Sequence, residues 1–177
     1  MDMQSQNLWA PWRMAYIKQL DAKDEPGTPG RCFLCDAANA DADRARLLVL
    51  HNDDRGVILL NRYPYTNGHL LIAPRAHVGD LTDMTAPARA GLMELTVLAE
   101  RLLRAAMNPQ GLNIGINLGR SAGAGVPGHL HVHVVPRWAG DTNFMQAVGQ
   151  VRVVPQALDD SYEWLTQTLK QVREGGE

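Results

Sequence analysis

Three of the six histidines of this chain alternate with apolar residues in segment 128–136, Gly-His-Leu-His-Val-His-Val-Val-Pro. Successive side chains of a β-strand point to opposite faces, so a strand here places the three histidines on one face. Leu130, Val132 and Val134 then lie on the other face and point into a core. The segment therefore predicts a sheet in which one strand carries a row of imidazoles.

A row of three histidines is unlike the residues that ordinarily fill a protein core or cover the exposed face of a strand. A single buried histidine is common, and the exposed face of an edge strand usually carries Thr, Lys, Glu or Ser. Imidazole also binds zinc, copper, iron and nickel, so the row fits a metal site. Strict alternation of His129, His131 and His133 favours a functional role, as metal ligands, as a nucleophile, or as both.

The whole chain sets broad limits. Its 177 residues predict one domain, and its net charge of −2 provides no global attraction to nucleic acids or anionic membranes. No apolar run approaches the ~20 residues that span a bilayer. The N-terminal residues lack the basic and apolar regions of a secretory signal, which predicts a cytoplasmic protein with reduced cysteines.

The hydrophobic pattern predicts several short strands and two main helices. The first helix is expected over 85–107, with Thr85 as its cap and Pro87 in its first turn. Strands that follow one another with short loops predict an antiparallel α+β domain. The predicted strands are 47–51, 57–61, 69–73, about 112–118 and the histidine strand, and the last helix is about 160–173.

Cys32 and Cys35 have the two-residue gap of a zinc knuckle, which is also the gap of a redox pair. A redox pair usually opens a helix in a thioredoxin-like βαβ unit, and the sequence shows no such context. A closed, structural zinc site needs two further ligands, for which His51, His69, His77 and one histidine of the row are candidates. The pattern favours a metal over a redox function.

The loop 119–128 precedes the histidine strand and contains a literal G-x-G-x-x-G from Gly123 to Gly128. A dinucleotide fingerprint must open a helix, whereas Pro127 and an alternating strand follow this loop. The loop is then either flexible or an anion-binding nest of backbone N–H groups, and its position favours phosphate. A neutral histidine attacks phosphorus readily, so the residues together indicate phosphoryl or nucleotidyl transfer.

The histidine pattern, followed by two apolar residues, resembles the signature of the histidine-triad (HIT) nucleotide-binding superfamily. Segments 61–64 and 68–74 resemble the family's central strands and ribose-facing loop, and segment 117–128 resembles its phosphate loop. Segments 8–14 and 136–145 are similar to a bacterial branch of diadenosine tetraphosphate phosphorylases and related hydrolases.

The resemblance implies an α+β fold with an antiparallel five-stranded sheet and two main helices, paired as a homodimer whose further assembly is left open. It implies a single HIT-like domain over 1–177. Within it, residues 1–31 form an N-terminal extension, 32–145 the core, and 146–177 a C-terminal strand and helix.

The resemblance also assigns roles to residues. His131 is expected to attack the α-phosphate and form a nucleotidyl-histidine that phosphate or water releases, with His133 and His129 completing the catalytic set. Asn61 is expected to hold the ribose, and His69 to support the site. The expected substrate-binding residues are Asn61, His69, Asn117, Gly123, Ala124, Gly125 and Trp138, and the expected zinc ligands are Cys32, Cys35, His77 and His129.

The expected activity is cleavage of dinucleoside polyphosphates such as diadenosine tetraphosphate. The expected partners are a purine nucleotide or a dinucleoside polyphosphate, without nucleic acid or membrane. Many family members carry Ser or Thr shortly before the triad, whereas segment 123–128 has no hydroxyl. Three alternatives stay open: a nucleoside phosphoramidate or aminoacyl-AMP hydrolase, a nucleotide sensor with negligible turnover, and an enzyme whose three histidines bind one catalytic metal.

Overall fold

The computed structural model describes residues 32–141 and 156–174. The expected N-terminal extension and the expected C-terminal strand lie outside the described residues or at their margin, so the division of the chain at 31 and 145 stays a prediction. The strands are β1 (Val49–Asn52), β2 (Gly56–Leu60), β3 (Leu70–Pro74), β4 (Gly111–Ile116) and β5 (Val132–Arg137). The α-helices are α1 (Phe33–Ala38), α2 (Ala86–Met107) and α3 (Leu158–Glu174), and two short 3-10 helices span Leu81–Asp83 and Arg120–Ala122.

The five strands form one sheet in the order β1-β2-β3-β5-β4, and each neighbouring pair is antiparallel. This confirms the predicted antiparallel α+β fold. The histidine strand β5 lies between β3 and β4, with His133 opposite both Leu71 and Gly115. Of the three histidines, His133 is therefore held between hydrogen-bonded strands on both sides.

The two faces of the sheet have different partners. On one face, Leu130, Val132 and Val134 join the main apolar cluster with α2 and α3, as the alternation predicts. On the other face, residues of α1 such as Leu34 pack against Leu71 in a second cluster. Because directly opposed residues of neighbouring strands share a face, His133 lies on the α1 side of the sheet with Leu71.

Helix α2 forms where the sequence predicts it. The hydroxyl of Thr85 caps the helix by accepting a hydrogen bond from the N–H of Ala88, and proline follows in the first turn. Asn108 ends the helix in a left-handed conformation with φ of 44°. A small residue with a polar side chain tolerates this conformation better than most residues do.

Two local expectations are corrected. Helix α1, which the two cysteines open, is not predicted, because six residues are too short to show a helical period. The ladder of β5 begins at Val132, since the N–H of Leu130 bonds to the carbonyl of Val78 instead of to a neighbouring strand.

No helix among the described residues is long and apolar enough to cross a membrane.

Candidate active site and metal centre

His131 lies just before β5 and is 5% exposed. Its Nδ1 is 2.9 Å from the carbonyl oxygen of His129, which can only accept, so Nδ1 carries the proton and donates it. The other ring nitrogen, Nε2, then holds the lone pair. Burial lowers the pKa of His131 despite the hydrogen bond to His129, so the ring is neutral at pH 7 and Nε2 is available as a nucleophile.

His133 stands next to His131 on the same face of the sheet. The two ring centroids are 5.0 Å apart, and the rings are inclined by 64°. Behind His133 lies the fully buried His69, whose Nε2 is 3.0 Å from Nδ1 of His133. The structure thus brings together three of the histidines that the sequence analysis selected, from two different strand segments.

The loop before β3 supports His69. The backbone N–H of Tyr65 donates to Nδ1 of His69 at 3.1 Å, and Nδ2 of Asn61 lies 3.2 Å from the same atom. The ring of Tyr65 packs on His69 with a centroid distance of 4.6 Å. The sequence analysis missed Tyr65, since its polar contact uses a backbone N–H that every residue except proline possesses.

A second cluster lies close by, where Cys32, Cys35, His77 and His129 bring their ligand atoms within 4.8 Å of one another. Nδ1 of His129 is 3.4 Å from each of the two Sγ atoms, and Nδ1 of His77 is 3.2 Å from Sγ of Cys35. Zinc bound to sulfur at ~2.3 Å and to nitrogen at ~2.0 Å with tetrahedral angles separates its ligands by about 3.5 Å. The donor atoms and their spacing therefore fit a zinc ion.

The protonation of His129 also fits a metal ligand. Its Nε2 is 2.9 Å from the carbonyl oxygen of Pro74, so Nε2 carries the proton and Nδ1 presents a lone pair to the cysteines. Burial lowers the pKa of His129 to about 4, which keeps the ring neutral. Burial raises the pKa of the Cys32 thiol to about 12, so a bound metal would have to displace the thiol proton.

The structure shows which of the candidate histidines lie beside the two cysteines and which have other partners. His77 is exposed and His129 is buried, and both face the cysteines. His69 faces His133 instead, and Nε2 of His51 lies 3.0 Å from Oδ2 of Asp53 in the β1–β2 hairpin. The cysteines do open a helix, unlike the expectation, but the two imidazoles beside their sulfur atoms make a metal site the better interpretation.

The loop predicted to bind phosphate follows β4. Nδ2 of Asn117 lies 3.5 Å from the carbonyl oxygen of Gly123. The N–H of Gly123 donates to the carbonyl of Arg120, and the N–H of Ala124 donates to that of Gly119. These two amides serve the loop itself in this conformation, which leaves Gly125 as the remaining predicted amide donor. A short 3-10 helix, and no α-helix, follows Gly119, as expected for a loop that is not a dinucleotide fingerprint.

Trp138 lies at the opposite end of β5 from His131. The seven steps from His131 to Trp138 span about 23 Å in extended chain at ~3.3 Å per residue. Trp138 is half-buried, and its backbone N–H donates to Oδ2 of Asp141 at 3.3 Å. The tryptophan is thus remote from the histidine row along the chain.

Comparison with known proteins gives consistent results. The sequence profile of the HIT domain matches residues 44–140. An AP-4-A phosphorylase of Mycobacterium tuberculosis is 40% identical over 161 residues, which cover 89% of this chain and 81% of that protein. A zinc-bound histidine triad family protein from Mycobacterium smegmatis superposes with a TM-score of 0.64 and 31% identity, over 81% of this chain and 96% of that one. A hypothetical histidine triad nucleotide-binding protein from Sulfolobus tokodaii superposes with a TM-score of 0.62 and 27% identity, over 81% and 92% of the two chains.

Proposed function

Because this chain belongs to the HIT domain family, we propose that it is an enzyme that cleaves dinucleoside polyphosphates such as diadenosine tetraphosphate. The mycobacterial relative at 40% identity is named for this substrate. The observation that supports the proposed chemistry is the buried, neutral His131, whose Nδ1 donates its proton to a carbonyl and whose Nε2 carries the lone pair. His131 is therefore the residue on which we place the nucleotidyl-histidine intermediate.

The proposed reaction has two displacements. Nε2 of His131 attacks the α-phosphorus of diadenosine tetraphosphate, the bond to the bridging oxygen breaks, and ATP leaves. Phosphate or water then attacks the same phosphorus, the bond between nitrogen and phosphorus breaks, and the nucleotide leaves. Phosphate yields ADP, whereas water yields AMP. His133 contacts the phosphate, Asn61 binds the ribose, and Asn117 and Gly125 of the adjoining loop contact the polyphosphate.

We propose that Cys32, Cys35, His77 and His129 hold a structural zinc ion, as their spacing favours. When bound, the metal would cross-link α1 to the segment before β5. His129 would then have two functions, since its ring is a ligand while its carbonyl oxygen orients His131. The four-ligand set leaves no open position for substrate, so the nucleophile is the histidine and not a metal-bound water.

We also propose that the enzyme works as a homodimer that pairs through β4. Among the described strands, β4 is an edge of the sheet, and its Ile114 side chain is 48% exposed. A Cβ atom added at Gly111 or Gly115 would meet no atom of residues 32–141 or 156–174 within 4 Å. A sheet edge that no described strand covers, with an exposed apolar side chain, is suited to a second strand, which a second copy of the chain can supply.

Product analysis tests the proposed activity. The purified protein is incubated with diadenosine tetraphosphate, with and without inorganic phosphate, and the nucleotides are separated by chromatography. ADP with ATP that appears only with phosphate identifies a phosphorylase, and AMP with ATP regardless of phosphate identifies a hydrolase. Absence of any product contradicts the proposal.

Two variants make the test specific to the nucleophile. His131→Asn removes Nε2 and is expected to lower kcat by at least a thousandfold, in line with the loss of a covalent nucleophile. His51→Asn alters another buried histidine outside the site and is expected to retain activity. Substantial turnover by His131→Asn would remove His131 from its assigned role.

One observation favours a second candidate, a nucleotide-binding sensor with negligible turnover. Segment 123–128 has no hydroxyl, and the amides of Gly123 and Ala124 are engaged within the loop. Tight binding of nucleotide without product over hours would support the sensor. Cleavage of adenosine phosphoramidate or aminoacyl-AMP, but not of diadenosine tetraphosphate, would instead move the substrate to that class.

A further inference from the structure

In both His131 and His133, the ring atom Nδ1 makes a hydrogen bond, but the two bonds have different kinds of partner. Nδ1 of His131 faces a carbonyl oxygen, so this nitrogen carries the proton. Nδ1 of His133 faces Nε2 of His69 at 3.0 Å, and either nitrogen of this pair can be the donor. The proton arrangement of His133 therefore depends on that of His69.

The loop before β3 decides where His69 carries its proton. The backbone N–H of Tyr65 can only donate, and it points at Nδ1 of His69 at 3.1 Å. Nδ2 of Asn61 lies 3.2 Å from the same Nδ1, and it is oriented there because Oδ1 of Asn61 accepts from the N–H of Tyr63. Two donors that converge on one nitrogen require a lone pair on it. Neutral His69 thus carries its proton on Nε2 and donates it to His133.

We infer that the backbone N–H of Tyr65, acting through His69, fixes His133 in the tautomer with its proton on Nε2. This makes His133 a hydrogen-bond donor to a phosphate oxygen of the bound nucleotide. The identity of this acceptor rests on the proposed function. His69 and Tyr65 are positioning residues, since they act through His133.

The opposite tautomers separate the functions of the two rings. His131 presents a lone pair on Nε2 and attacks, whereas His133 presents an N–H on Nε2 and stabilises charge on the phosphate. If His133 presented a lone pair instead, it would repel the phosphate oxygens. A donor fixed in place before the reaction costs no reorganisation when the charge develops, which is the most effective form of electrostatic stabilisation.

The loop that contains Tyr65 is held in place by side-chain hydrogen bonds of two of its residues, Thr66 and Asn67. The hydroxyl of Thr66 donates to the carbonyl of Pro136 in β5 at 3.1 Å. Oδ1 of Asn67 accepts from the hydroxyl of Ser161 in α3 at 2.9 Å, and its Nδ2 donates to Oε1 of Gln156 at 2.9 Å. The amide that sets the tautomers is thus held by the sheet and by the last helix.

The tautomers are measurable directly in the full-length protein as isolated, without substrate. Histidine rings are labelled with ¹⁵N, and long-range ¹H–¹⁵N spectra are recorded at a pH of about 8, where the unperturbed imidazole is neutral. The expected result is a protonated Nε2 on His133 and a protonated Nδ1 on His131. A protonated Nδ1 on His133 would overturn the inference.

A matched pair of variants tests the consequence for catalysis. His69→Gln keeps a donor towards His133 and an acceptor towards Tyr65, whereas His69→Glu has nearly the same shape but only accepts when ionised. His69→Gln is expected to preserve the tautomer of His133. His69→Glu is expected to move the proton to Nδ1 of His133 and to lower kcat about 100-fold below that of His69→Gln, as for the loss of one preorganised donor.

His51→Gln is the control, because His51 is a buried histidine whose partner is Asp53 in the distant hairpin. It is expected to change neither the tautomers nor kcat. Equal kcat values in the two His69 variants would overturn the inference. If a variant fails to fold, the wild-type spectrum alone tests the tautomer of His133. Since the spectrum needs no substrate, failure of the proposed function and failure of this inference give distinguishable results.

Discussion

At the scale of single residues, the described histidines of the site are oriented largely by backbone groups. Carbonyl oxygens hold His131 and His129, while a backbone N–H holds His69. Backbone N–H and C=O groups are the same in nearly all residue types, so the orientation of each ring depends on the path of the backbone. His51, which lies outside the site, differs from them because its partner is a side chain, that of Asp53.

Asp53 provides a prediction about stability and pH. Burial alone would raise its pKa, but hydrogen bonds from Arg55 and His51 together hold the pKa of this carboxyl well below its usual value. A carboxyl with a lowered folded-state pKa stabilises the protein above its unfolded-state pKa and loses this effect as the pH falls. Asp53→Asn is therefore expected to lower the free energy of unfolding by about 1–3 kcal/mol at pH 7.

The difference between wild type and Asp53→Asn is expected to shrink as the pH falls below about 4, where the unfolded-state carboxyl becomes protonated. Urea denaturation followed by circular dichroism at several pH values measures it. Asp54→Asn, which changes an adjacent carboxyl, is the control. A difference that is constant from pH 7 to pH 3 would contradict the explanation.

The residues of the site could be selected from the sequence, but their arrangement could not. Strict alternation placed three histidines on one face, and the resemblance to a family selected His77 as the fourth ligand of the cluster. Spacing alone left His51 and His69 as equal candidates. The hydrogen bonds that distinguish them come from Asp53 in a hairpin and from the backbone of the loop that ends at Gly68, and neither contact has a sequence signal.

At the scale of elements, the cluster of cysteines and histidines connects α1 to the segment before β5. Cys35→Ser removes one ligand and is expected to abolish stoichiometric zinc binding and to lower the melting temperature, since metal binding contributes to folding. Metal content is measured by mass spectrometry, and melting by calorimetry. His51→Asn is the control and is expected to keep its metal. Full zinc content in Cys35→Ser would contradict the assigned ligand set.

The contact between α3 and the loop before β3 provides another prediction. Ser161→Ala removes the hydrogen bond to Asn67 and is expected to destabilise the fold by about 1 kcal/mol. Thr168→Val is the control, because the hydroxyl of Thr168 donates within α3, to the carbonyl of Trp164. Urea denaturation compares the two, and equal destabilisation would show that the contact with the loop contributes nothing specific.

The elements that could be predicted are those with a clear period. Helix α2 repeats its apolar residues over 22 positions, and the strands alternate or are continuously apolar, so both classes were found within a few residues. Helix α1 has six residues and packs its apolar side chains under the sheet, which leaves no repeat to detect. The start of β5 was placed too early because the alternation continues into residues 129–131, whose backbone leaves the ladder.

At the scale of the whole molecule, β4 is an edge of the sheet that the described strands form, and the proposed assembly depends on this edge. Ile114→Lys places a charge on this edge and is expected to convert a dimer into a monomer without unfolding it. Trp164→Lys is the control, because Trp164 is 40% exposed on α3, whose Tyr162 contacts Val49 at the opposite edge of the sheet. Sedimentation equilibrium measures the mass, and a dimeric Ile114→Lys protein would exclude pairing through this edge.

The alternation of residues 129–134 has a consequence for inheritance. One codon inserted between Val132 and His133 would exchange the two faces of the strand beyond it, so that His133 enters the apolar cluster and Val134 replaces it in the site. The same insertion in the loop at 119–128 would leave both faces in place. A length variant within β5 is therefore expected to abolish function, whereas one in this loop keeps the imidazoles on their face of the sheet.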